Sequence, residues 1–581
     1  MRVGFVVVAP ALIALLFSIS TTGILPRSSL EPLFDGENAA TLARTLSQDY
    51  PSRVPGSEGA TQAARWYEET IGGLGLTTEE DAWSQDLADL GKVDLRNVVT
   101  VVPGRSEETI VVVAHRDNAG TGQPLGDNAS GTAALIELAR GFAPQELGPD
   151  PQPDRTLVLV STDGGSYGGA GAERFASRSP FAREAIAAVV LDGLGGTGRP
   201  RLAIAGDDPV SPARALVRTA AVRVEEQVGT PPSLPSIPTQ LVDLGVPFAF
   251  GEQGRFLGHG IAAVTLTTST PSDPAIPIGG PATKAAVQRL DQLGRATEAL
   301  LSSLDRSLGG AFRTPDSVFF GDRAASGWAV RLTLVLAVVP FALGFVDLVV
   351  RGRRRGLPFR PALRALRTRL GVALLAGILV WIGALGGTFP TGAALPLSPF
   401  AETLHNPSVG GILLLVGALA AGWLVARRRL VRGRPTTAEE RLAGLATALA
   451  AIGVVAVVLA VAKPYALVFV LPSLYAWLWL PIERRLWQRA VLFAAGLAGP
   501  VLGLVFLADE LGLSIPAAAL YAVGLVTVGY LPLSSALLAL VWLAAAAQVA
   551  AIAFGRYAPY GNGIEPPPPG VLRSLTRGVR R

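Results

Sequence analysis

Four short polar stretches carry the side chains of this chain that could do chemistry together. His115-Arg116-Asp117 follows the β-branched run 109–114, Thr162-Asp163-Gly164-Gly165 follows 156–161, and Asp192-Gly193 follows 186–191. Between the first two lies Gly126-Asp127-Asn128-Ala129-Ser130-Gly131, which opens a helical pattern. Each has an ordinary reading alone: an Asp ahead of a helix caps it, and Asp-Gly turns the chain. Together, one imidazole and two carboxylates at neighbouring strand ends make a mixed nitrogen and oxygen donor set suited to Zn²⁺. Asp117, two residues beyond His115, is placed to orient the imidazole from behind such a metal.

The elements that must position these groups are legible as periodicities. Strand-like runs at 97–102, 109–114, 156–161, 186–191 and 261–267 alternate with helical patterns at 59–74, 131–142 and 281–304. Strands alternating with helices predict an α/β domain, a mostly parallel sheet with helices on both faces. In such sheets the working groups gather beyond the carboxyl ends of the strands, which is where the polar stretches fall.

The stretches Arg53-Val54-Pro55-Gly56-Ser57-Glu58-Gly59, Arg96-Asn97-Val98-Val99, Val113-Ala114-His115-Arg116-Asp117, Gly126-Asp127-Asn128-Ala129-Ser130-Gly131, Gly168-Gly169-Ala170-Gly171 and Leu191-Asp192 give the domain a likeness to a known family. In order and spacing it resembles the co-catalytic zinc aminopeptidases, the family of aminopeptidase Y and the glutamate carboxypeptidase-type metallopeptidases. The resemblance implies that His115 and Asp192 bind one zinc, that Asp127 bridges to a second, and that Asp117 orients His115. It also implies losses. The family's glutamate pair, a general base and a ligand, falls on Gly165 and Ser166, and its last histidine ligand falls on Gln253. The general base is then missing at Gly165, Ser166 and Gln253 are degenerate ligand positions, and one zinc ion is expected.

A hydrolase of this type needs a base to take the proton from the attacking water. The expected function is therefore a catalytically impaired or non-peptidase binding or assembly module for a peptide or amide-like ligand. The alternative is an active zinc aminopeptidase or amidase with an unconventional base drawn from Asp163, Glu173, Glu252, His259, Glu402 or His405. Non-enzymatic relatives such as the transferrin receptor fit the first expectation. In architecture the chain is similar to the Gaa1-type subunit of the GPI transamidase.

Composition sets the rest of the organisation. Of 581 residues 50% are hydrophobic and only 16% charged, where soluble domains carry about 25% charged residues. The absence of Cys excludes disulfides, thiolate metal sites and cysteine nucleophiles. Basic residues cluster beside apolar runs and not along a polar face, which argues against a nucleic-acid partner. The predicted domains are a signal anchor at 1–26 (a cleaved signal peptide being the alternative), a metallopeptidase-like domain at 27–327, an all-α transmembrane bundle of about seven helices at 328–556, and a basic cytoplasmic tail at 557–581. The bundle's spans read as 328–350, 370–388, 409–426, 442–462, 465–481, 490–508 and 534–554, with 515–533, broken by Pro516 and Pro532, not spanning. The spans hold almost no ionisable residue, which disfavours a transporter.

Arginine-rich loops mark the cytoplasmic side, so the expected protein is a multi-pass integral membrane protein with eight spans, both termini cytoplasmic and the soluble domain outside. Reporter fusions after Arg355 and Arg434 are expected to read cytoplasmic, and one after Gly310 external. An external signal at Arg581 would show that 515–533 crosses the bilayer and that the parity is wrong.

Overall fold

Seven strands form one mixed sheet: β1 Thr78–Leu87, β2 Gly91–Val102, β3 Ser106–His115, β4 Arg155–Thr162, β5 Ala185–Asp192, β6 Arg201–Ala203 and β7 Ala263–Thr267, in the order β1-β2-β4-β3-β5-β7-β6. The computed structural model describes residues 2–27, 31–120, 127–143, 152–269, 284–307, 312–427, 429–430, 436–481, 483 and 485–559. Gly126 and the tail from residue 560, with its proline run, lie outside them. The four central strands β4, β3, β5 and β7 run parallel, and β1, β2 and β6 are antiparallel to their neighbours.

Alternation along β3 shows why helices must cover both faces. Ile110, Val112 and Ala114 face a core built by the helices Gly36–Asp49, Glu58–Gly73, Ala129–Arg140, Arg214–Val228 and Lys284–Asp305. Val111 and Val113 face the opposite core, with Phe175 of Ala170–Arg178 and Phe256 of Gln253–Gly258. Strands buried on two sides lose the polar alternation of a solvent-facing sheet, hence the unbroken Val-Val-Val-Ala run. The five sequence-predicted strands are all present. The two outer strands β1 and β6 carry no apolar run; β1 is acidic and half exposed along its length.

Among the described residues the bundle holds six helices long and apolar enough to cross a membrane: Gly327–Arg354, Phe359–Leu385, Val409–Arg427, Ala438–Ala462, Leu486–Leu511 and Leu533–Ala553. The remaining expected span, 465–481, is shorter: a 3₁₀ turn leads into a 13-residue helix, Leu467–Trp479, under the ~20 residues a bilayer core requires. The first apolar segment also falls short of the expected 1–26. Its helix ends at Ser18, and Ser20–Thr21 pairs as a strand with Arg323 and Ala324. The stretch 515–533 contains a 13-residue helix, Ile515–Thr527, entered at Pro516. The second span begins at Phe359, so Arg360, Arg364, Arg367 and Arg369 lie on a helix and not in a loop. Arg369 is buried there, 3.4 Å from Gln548 and over the Tyr557 ring.

Aromatic and ionic contacts join the two halves. Tyr530 donates to Asp207 at 2.8 Å, and Tyr465 donates to Asp316 at 2.8 Å. Phe248 meets Tyr521 and Tyr530 edge-on at 5.8 and 6.1 Å. The loop after Phe359–Leu385 also lies on the soluble domain, where the Ala393 amide donates to the Asp86 carbonyl at 3.0 Å.

Within the bundle, helices approach closely where glycine permits it. Added methyl groups at Gly499 would press into the Phe469 backbone, whereas Gly371 faces open space. Gly499→Leu is expected to cost about 1–3 kcal/mol through overpacking, read as a lower thermal midpoint in detergent. Gly371→Leu should leave that midpoint unchanged.

Candidate active site

β3 delivers His115 to the carboxyl edge of the sheet, 6% exposed. Its Nδ1 lies 3.3 Å from Asp117 Oδ1 and 3.2 Å from the Asp117 carbonyl. The Asp117 carboxylate also accepts the Gly165 amide at 2.7 Å and the Ser166 amide at 3.0 Å. Asp117 thus stands against the His115 ring and ties β3 to the turn after β4. Burial opposes charge on both groups. The Asp117 carboxylate overrides it for His115, helped by Asp192 and Glu252, and holds the imidazole well above its ordinary pKa. His115 and the two amides in turn hold Asp117 below the usual carboxylate range against its burial.

The remaining imidazole nitrogen, Nε2, stands 3.7 Å from Asp192 Oδ1 at the end of β5. Asp127 comes from the loop before Ala129–Arg140 and is drawn another way. Its Oδ1 receives both the Arg53 guanidinium, as an ion pair, and the Ala129 amide at 3.0 Å. Arg53 is wholly buried, and its other donors reach the carbonyls of Arg116, Tyr50 and Leu46. The helix cap is Asn128, whose side chain accepts the Gly131 and Gly193 amides at 3.1 and 2.8 Å and donates to the Leu191 carbonyl at 2.8 Å. One buried amide side chain therefore locks the Asp127 loop onto the strand that carries Asp192. Neither Arg53 nor Asn128 is marked as a site residue by sequence chemistry. Their place in the quoted motifs is the only signal, because their partners lie 63–74 residues away.

His115, Asp127, Asp192, Ser166 and Gln253 all line one cavity of about 540 Å³. The expected zinc set is gathered in one cavity but not at one point: among the described residues no three His, Asp or Glu side chains converge closely enough to hold an ion. The residues as arranged therefore do not fit a finished zinc site, and the Arg53 ion pair already neutralises Asp127. Gln253 is committed at both ends, accepting from Thr265 at 2.7 Å and donating to the Ala205 carbonyl at 3.2 Å. At Gly165 a Cβ would overlap the Cβ and Cγ of His115, so that backbone has no room for any side chain.

Of the substitute bases, four have other work. His259 pairs with Glu173 at 3.0 Å, half exposed. Asp163 accepts the Arg96 and Gly164 amides beside Arg116, and burial pushes it up to about 6. His405 Nε2 meets the Pro399 carbonyl at 3.0 Å. Glu252 differs from these. It is buried, Thr162 donates to its Oε1 at 2.6 Å, and among the described residues its Oε2 has no hydrogen-bond partner. Desolvation raises its pKa to about 7, with His115 acting in the opposite direction.

A parallel-centred sheet with a histidine and carboxylates at its carboxyl edge defines a metallopeptidase-like domain. Residues 97–240 match the model of Peptidase family M28, so this part of the chain is similar to that family. A comparison with curated proteins finds no match. Similar solved structures include a glutaminyl cyclase of Bacteroides thetaiotaomicron bound to N-acetylhistamine, 16% identical, covering 47% of this chain and 99% of its own, with TM-score 0.36. Another is BSAP, a zinc aminopeptidase of Bacillus subtilis, 12% identical, covering 49% and 99%, with TM-score 0.37. A third is an Acidobacteriales bacterium glutaminyl cyclase, 18% identical, covering 49% and 100%, with TM-score 0.36. These matches do not extend to the GPI transamidase likeness.

The raised Glu252 pKa makes a signed prediction. Below pH 4.5 folded and unfolded chains both hold this proton; between 4.5 and about 7 the unfolded chain releases it while the folded chain keeps it. Stability must then fall as pH rises through that window. Glu252→Gln is expected to flatten this part of the decline in thermal midpoint, and an unchanged slope would show that Glu252 is ionised in the folded protein.

Proposed function

We propose that this chain is a multi-pass membrane protein whose M28-type domain binds a peptide or amide-like ligand in the His115–Asp192 cavity and has lost ordinary peptidase turnover. One observation carries the reading: at position 165 the backbone lies against the His115 ring with no space for a catalytic side chain. Without a positioned base, hydrolysis forfeits roughly 10²–10⁴-fold. Ser166 and Gln253 offer no second ligand set, so the zinc stoichiometry in this reading is at most one ion, with His115, Asp127 and Asp192 as the side chains that would hold it. The arginine distribution supports an extracytoplasmic position for the domain. A binding or assembly role follows from a retained cavity without a retained base.

The active-hydrolase reading has one observation in its favour, the unpartnered Oε2 of buried Glu252 close to His115. Two measurements on the full chain in detergent separate the readings: zinc content, and turnover of an aminoacyl amide. The expected outcome is one zinc, abolished by His115→Ala, with turnover at least about 10²-fold below an intact enzyme of this type. Gly165→Glu should not raise turnover and should cost about 1–3 kcal/mol of stability by overpacking. Two zinc ions per chain, or brisk turnover that Glu252→Gln stops, would sink the impaired-module reading.

A further inference from the structure

The cavity that holds His115 and Asp192 is not closed by the soluble domain alone. Part of its wall is the end of the bundle helix Leu486–Leu511, which contributes Phe506, Asp509 and Glu510, and Phe400 comes from the loop between two bundle helices. Adjoining it is the short helix Ile237–Gly245, which contributes Thr239 and Asp243 and packs through Gly245 against Tyr465 and Phe469 of the bundle. Both stand at the level where the apolar helices end.

Charge and apolarity are unevenly distributed around this space. Five carboxyl groups line it, Asp127, Asp192, Asp243, Asp509 and Glu510, against one arginine, Arg201, and one histidine. Asp127 is already paired with Arg53. Among the described residues, the side chains of Asp243, Asp509 and Glu510 have no hydrogen-bond or salt-bridge partner. Burial first, and then the Glu510 carboxyl, push the Asp243 carboxyl well above its ordinary range, the condition a bound cation would relieve. Apolar side chains ring the same region: Val501, Leu502 and Val505 are 52, 51 and 42% exposed one to two turns before Asp509, and Ile237 and Val246 are 46 and 37% exposed at the two ends of the Asp243 helix. A space of about 540 Å³ is of small-molecule size, large enough for a head group and not for a folded partner.

Resting on the reading of this cavity as the ligand site, we propose that its ligand is the head group of a membrane-borne amphiphile, an amine-bearing lipid. Its ammonium sits among Asp243, Asp509 and Glu510, and its chain stays in the bilayer along Val501, Leu502 and Val505. Charge-assisted hydrogen bonds from a primary ammonium satisfy carboxylates that otherwise lack donors. The apolar end of the same helix supplies the path by which the chain enters without leaving the membrane. The amide or ester carbonyl of such a head group would then lie toward His115 and Asp192.

The test uses the full chain in phosphatidylcholine nanodiscs and binding of stearylamine, read by the shift in thermal midpoint and by displacement of a fluorescent amine lipid. Stearylamine is expected to bind and N-acetylstearylamine, which has no charge, is not. Asp509→Asn, at an exposed position with little folding risk, should weaken binding about tenfold, the loss of one charge-assisted hydrogen bond. Asp243→Asn with Glu510→Gln should abolish it. Zinc content is measured on the same samples, so that a chain without zinc that still binds stearylamine, and a chain with zinc that does not, separate failure of the metal reading from failure of the lipid reading. Equal binding of the acetylated amine, or full binding by the carboxamide variants, would overturn the proposal. So would displacement by a soluble tripeptide amide with no binding of stearylamine, which would assign the cavity to a polypeptide amino terminus.

Discussion

A buried carboxylate sets the terms for this site. Asp117 is 1% exposed, and a charge so enclosed persists only if its oxygens are fully engaged. His115 and the amides of Gly165 and Ser166 engage them. To deliver those amides, the turn after β4 must fold in beneath the imidazole. That approach is what removes the space for a side chain at Gly165. The grip on Asp117 and the lack of room at Gly165 are thus one geometric fact. A glutamate at 165 would have to push the histidine away from the Asp117 carboxylate.

Arg53 governs the other side of the cavity in a similar manner. A buried guanidinium with three carbonyl acceptors already in place needs one anion, and Asp127 supplies it. The carboxylate is therefore held toward the interior, while His115 and Asp192 face each other across the cavity. Asn128 keeps this spread fixed, because its three hydrogen bonds span the Asp127 loop and the end of β5. Removing one partner of such a buried network leaves others unsatisfied, at about 1–3 kcal/mol each.

The bundle is structurally continuous with the domain above it. Tyr530 reaches Asp207, which also receives Arg255 from Gln253–Gly258. The helix that bears Gln253, and is preceded by Glu252, is thus braced from the membrane side. Arg255 stacks over the same Tyr530 ring at 5.6 Å. Any displacement of the 515–533 segment would bear on this helix through aromatic and ionic contacts that leave little slack.

What the sequence determined on its own was what local pattern encodes. Five strands, the helices between them, the polar groups at their carboxyl ends and the long apolar helices follow from side-chain period and hydrophobicity, which are properties of neighbours along the chain. The motif Val113-Ala114-His115-Arg116-Asp117 likewise fixed Asp117 beside His115, because two residues of spacing leave few alternatives. Strand β1 escaped because an acidic edge strand has no apolar period to read. The ends of the apolar segments 1–26 and 465–481 escaped because hydrophobicity does not reveal where strand pairing or a 3₁₀ turn interrupts a helix. Only the tertiary structure decided that Arg53 takes Asp127, that Gln253 is consumed by Thr265 and Ala205, that Glu252 stands buried near His115, and that Asp509 and Glu510 complete the cavity. Those are pairings across tens to hundreds of residues. They depend on which backbone groups are left needing a partner once the chain is packed, and no local pattern carries that information.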